Sequence, residues 1–82
     1  MEKFTTFEKV MAYIDCANHY IDAIWNLNAD VNIKKAALSD HFVWTCNKIT
    51  ALDYRKITDD EFNSISDAYD AFKTHYRELV KD

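Results

Sequence analysis

Residues 57–81 read ITDDEFNSISDAYDAFKTHYRELVK, and this stretch decides the fold. Thr58 stands three residues before Glu61, the spacing of a capping box. The threonine hydroxyl accepts from the Glu61 amide while the glutamate reaches back to the Thr58 amide. Ile57 before the cap and Phe62 in the first turn have the spacing of a hydrophobic staple. From there Phe62, Ile65, Tyr69, Phe72, Tyr76 and Leu79 recur at alternating steps of three and four, one apolar stripe at helical period. Asp59, Asp60 and Glu61 crowd the positive end of the helix dipole, and Lys73, Arg77 and Lys81 gather toward the negative end. Cap, stripe and charge gradient agree on a helix over 59–80.

Two further helices extend this reading toward the N-terminus. Thr5-Thr6-Phe7-Glu8 is a second capping box, and Phe7, Val10, Met11, Ile14, Ala17, Ile21, Ile24 and Trp25 carry the stripe of a helix over 6–27. Tyr13, Tyr20 and Leu27 widen that stripe enough to touch two neighbours. Asn26, Asn28, Asp30 and Asn32 compete with the helix for backbone hydrogen bonds and tolerate left-handed turns, so they mark a reversal. The second helix is expected over 31–55, with Val31, Leu38, Phe42, Thr45, Ile49 and Leu52 as its stripe and Ser39-Asp40 as a candidate kink. Lys56-Ile57 is then its only link to the third helix, and so short a link joins antiparallel neighbours. The expected architecture is all-α: a single domain over 1–82 folded as a three-helix, up-down-up bundle, with self-association through the first two helices.

Composition agrees with helices and excludes several functions. The 82-residue chain has no glycine and no proline, which argues against hairpin-rich β folds and removes glycine-rich phosphate loops. At 49% hydrophobic and 29% charged it is globular, and its length is that of one domain. Two cysteines, Cys16 and Cys46, are too few for a disulfide scaffold and point to a reducing cytoplasm. The start Met1-Glu2-Lys3 does not read as a secretory leader, no apolar run is long enough to span a membrane, and the chain reads as one complete gene product.

Candidate chemistry is sparse. Asp15, His19 and Asp22 share one face of the first helix at spacings compatible with part of a divalent metal site, but a solvated polar face is the favoured reading. His41 and Cys46 lie too far apart around their helix to share a metal, and neither cysteine has CxxC context. Cys16 with His19 lacks an oxyanion donor, and His75 reads as a boundary residue with a hydrogen-bond partner. The chain is therefore expected to be no enzyme and to hold no metal or cofactor. A metal or redox role for His19 or the cysteines ranks below two binding readings.

Those readings rest on surfaces. Ile33, Ala36, Val43, Trp44, Ala51 and Tyr54 lie opposite the second helix's own stripe, and Ala12, Cys16 and Ala23 form a small-residue seam on the first. A helix apolar on two sides is buried on two sides or binds something. Glu8, Asp15 and Asp22 line one acidic edge, Asp67 and Asp70 belong to another, and the net charge is −4. The leading expectation is a small cytoplasmic regulator or inhibitor, of the accessory kind found in phages and mobile elements. It would occlude a protein partner through Ile33, Val43, Trp44 and Tyr54 and through Glu8, Asp15, Asp22, Asp67 and Asp70. A basic nucleic-acid-binding cleft on that partner would suit the acidic edges. The alternative is a nucleic-acid-binding regulator that uses Lys34, His41, Lys48 and Arg55, which recur every seven residues beside Trp44.

Overall fold

A computed structural model describes residues 4–81, so the reading of Met1-Glu2-Lys3 lies outside the described residues. It contains three helices: α1 (Thr6–Trp25), α2 (Val31–Thr50) and α3 (Asp59–Val80), with no strand among the described residues. Both capping boxes form. Glu8 N donates to Thr5 Oγ1 at 3.1 Å and Thr5 N to Glu8 Oε1 at 2.9 Å, while Thr58 and Glu61 exchange the same pair of bonds at 3.1 Å each. Asp30 caps α2, its carboxylate accepting from Asn32 N at 2.8 Å.

The helices pack against one another around Val10, Ile14, Ala17 and Ile21 of α1, Leu38 and Ile49 of α2, and Ile65 and Phe72 of α3. These are stripe positions, and α1 is the helix that packs broadly against both others. Phe42 joins α2 to α3 by stacking on Phe72 and Tyr76, with ring centroids 5.3 and 4.3 Å away. Thr45 is the one wholly buried polar residue in the described chain, and its hydroxyl has no partner.

Several expectations give way. The second helix stops at Thr50 instead of running to 55, because the chain beyond it finds other partners. Asp53 accepts from the Arg55 amide at 3.1 Å and gives its own carbonyl to Thr6 Oγ1 at 2.7 Å. Such local bonds compete with helical ones. The hydroxyl of Tyr54 folds back onto the Ile49 carbonyl, one of those that a helix C-terminus leaves open. The link is thus 51–58, longer than two residues. Helix α2 runs through Ser39-Asp40 without a restart. The first helix closes at Trp25, and no described residue has positive φ, so the asparagine-rich turn reverses the chain without a left-handed residue. Phe62 is 57% exposed and Val31 and Leu27 are about half exposed, so these stripe members at helix ends lie beyond the packed layer.

Candidate protein-binding surface

The outward face of α2 is where large apolar side chains meet solvent. Trp44 is 45% exposed, Val43 54% and Ile33 64%, and Ala36 and Ala51 are exposed as well. Because α1 is the central helix, the second apolar side of α2 is not explained by burial on two sides. Trp44 is nonetheless held firmly. Tyr13 of α1 meets it edge-on at 5.9 Å, His41 stacks beside it at 5.3 Å, and Lys48 Nζ lies 5.6 Å from its ring centre. Tyr20 continues the stack on His41 at 3.9 Å. The result is an aromatic strip across the α1–α2 seam. Tyr54, expected beside Trp44, instead sits half-buried in the 51–58 link against the core.

Next to the strip lies an open groove of about 610 Å³ lined by Phe4, Glu8, Lys9, Ala12, Tyr13, Cys16 and Leu52. Ala12 and Cys16 of the small-residue seam line it, and Ala23 does not. Cys16 is exposed there. Cys46, on the other side of α2, has Sγ 2.9 Å from Tyr69 Oη, and burial together with that contact pushes the Tyr69 phenol up to about 12. The Cys46–Tyr69 pair and the Tyr20–His41 stack were not legible from spacing, since each joins residues of different helices.

The charged candidates are placed on two edges. On α1, Glu8 is engaged in its capping box, Asp15 lies 3.6 Å from His19, and Asp22 Oδ1 lies 3.1 Å from His75 Nε2. On α3, Asp70 lies 3.5 Å from Lys73 and Asp67 is exposed. Asp15 and Asp22 thus have different histidine partners, and among the described residues no three His, Cys, Asp or Glu side chains are grouped to hold a metal. No helix of the described residues is long and apolar enough to cross a membrane.

The four basic-edge residues are not presented as a row of cations. Lys34 Nζ donates to the Trp25 carbonyl at 2.8 Å and lies over the Trp25 ring. His41 is half-buried with Nε2 unpartnered, and burial lowers its pKa below the ordinary 6.5, which disfavours the charged ring. Arg55 lies outside the helix and grips Asp53 through Nε and a terminal nitrogen at 2.9 and 2.7 Å. That guanidinium holds the Asp53 carboxyl below its usual range. Lys48 alone projects from α2 beside an exposed aromatic ring.

Comparison finds no protein family, no characterised protein and no solved structure to which this chain is similar.

Proposed function

We propose that this chain is a non-catalytic, cytoplasmic regulator or inhibitor that works by binding and occluding a protein partner, in the manner of phage and mobile-element accessory proteins. The observation that carries the reading is the solvent-facing Ile33, Val43 and Trp44 on a helix that is not the central one. Exposed apolar surface of this kind is costly unless something covers it, and a tryptophan fixed by its neighbours buries much area at little entropic cost. In this reading the helices run up, down and up. The bond from Thr6 to Asp53, the bond from Lys34 to Trp25 and the Asp22–His75 contact support that order. Helices α1 and α2 form a self-associating face, while Asp15, Asp22 and Asp67 steer a basic partner to the opposite edges.

Affinity capture from native extract, with and without nuclease, tests this. One protein should be retained in both, and Trp44→Ala should weaken its capture by about 2 kcal/mol or more while barely changing the melting temperature. Loss on nuclease treatment would favour a nucleic-acid ligand for Lys34, His41, Lys48 and Arg55. A Trp44→Ala chain that melts far lower but captures as before would make Trp44 a core residue and remove the interface.

A further inference from the structure

The outward face of α2 has an internal symmetry. Ala37, Asp40, Trp44, Lys48 and Ala51 follow one another at steps of three, four, four and three, so they share one strip of the helix. The strip is palindromic about Trp44. Four residues to either side stand an acid and a base, and seven to either side stand two alanines. Asp40, Trp44, Lys48 and Ala51 are exposed and Ala37 is half-buried, so the strip faces out of the bundle. Ala51 extends it beyond the last helical residue because its backbone is still right-handed helical, with φ −80° and ψ −8°.

Resting on the reading of this face as an interface, we propose that it docks a second copy of the chain, α2 against α2 in antiparallel register about a two-fold axis at Trp44. Reversal about that axis sets Asp40 of each copy opposite Lys48 of its mate, giving two ion pairs, and sets Ala37 opposite Ala51, where small side chains let the helices approach. Within one chain Asp40 and Lys48 are two turns apart, about 12 Å along the axis, and cannot pair. Neither has an opposite charge against it among the described residues. A parallel arrangement would set Asp40 on Asp40 and Lys48 on Lys48, so charge selects the antiparallel one.

The same axis suits α1. Tyr13 touches Trp44, so the axis crosses α1 near that level. Ala12 and Cys16 bracket it on the outward seam, and reversal sets Ala12 of each copy toward Cys16 of its mate. The dimer is then a four-helix layer pair, α1 on α1 and α2 on α2. Two 20-residue helices offer a face about 30 Å long and about 20 Å wide, which buries about 1,200 Å² in total across two copies. That is the lower end of what stable specific interfaces bury, so a reversible dimer is expected.

Charge reversal tests the register directly. Sedimentation equilibrium should show a monomer–dimer equilibrium for the wild type. Asp40→Lys and Lys48→Asp, each alone, should weaken the dimer about tenfold or more, with unchanged helical circular dichroism. The double variant should recover wild-type association. Mixing the two single variants should give a heterodimer tighter than either homodimer, since every facing pair is then opposite in sign. A wild type that stays monomeric at the highest soluble concentration overturns the proposal. So does a dimer indifferent to both reversals, or one that neither the double variant nor the mixture restores. Capture from extract with the same variants reports the function separately: a partner still retained by a monomeric chain leaves the occlusion reading standing without the dimer.

Discussion

At the scale of the residue, among the described residues the two buried side-chain polar atoms without partners are Thr45 Oγ1 and His41 Nε2. A hydroxyl taken out of water and left unbonded costs about 1–3 kcal/mol, while a methyl group of the same shape costs nothing of that kind. Thr45→Val should therefore raise stability, by about 1 kcal/mol in urea or thermal melts. Unchanged or lower stability would mean that the hydroxyl has a partner in solution. His41 supplies a pH dependence. Its folded-state pKa lies below 6.5 because burial disfavours the charged ring, so the unfolded chain binds the proton more readily. Its contribution is complete above 6.5 and is lost as pH falls from there through the lower folded value. The stability difference between wild type and His41→Phe should shift against the wild type on acidification. A difference that is flat from neutral pH down to about pH 5 would show that the ring protonates freely in the stack.

At the scale of the element, caps and burial contribute differently. Thr58→Ala removes the hydroxyl that accepts from Glu61 N and should cost about 1 kcal/mol. Phe72 is wholly buried and stacked on Phe42 and Tyr69, so Phe72→Ala should cost about 3–5 kcal/mol through lost transfer energy and a cavity. Comparable melting temperatures for the two variants would contradict the packing of α3. The Tyr54 hydroxyl on the Ile49 carbonyl and the Asp53–Arg55 turn act at the other end of α2. They set its length by offering the backbone partners that a continuing helix would not.

At the scale of the whole molecule, charge is divided unevenly along the chain. From residue 10 to 33 and from 57 to 72 the chain has acids and no Lys or Arg, and those stretches belong chiefly to α1 and α3. If these acidic edges steer a basic partner, Asp15→Lys combined with Asp67→Lys should slow association, and the difference should shrink as salt screens the field. Asp22 is the poorer choice because its contact with His75 joins α1 to α3, whereas Asp15 lies beside His19 of its own helix. Association kinetics against ionic strength measure it. Rates indifferent to both salt and reversal would remove the acidic edges from the interface.

The three helices, their N-terminal caps and most of their core faces were determined by the sequence itself, because a capping box and a stripe of period 3.6 act within a few residues. Thr58 with Glu61, and Ile14 with Ile21, need no distant partner to declare their roles. The α2 side opposite Leu38 was also readable as apolar. Whether a neighbour covers it was not, since that depends on which helix is central; packing makes that helix α1 and leaves this side of α2 open. The end of α2 at Thr50 depends on Thr6, 47 residues before Asp53, whose carbonyl it binds. The Tyr20–His41, Cys46–Tyr69 and Asp22–His75 contacts likewise join residues of different helices. Helical period orders residues around one axis and is silent about the neighbouring one, so these were decided by the tertiary structure alone.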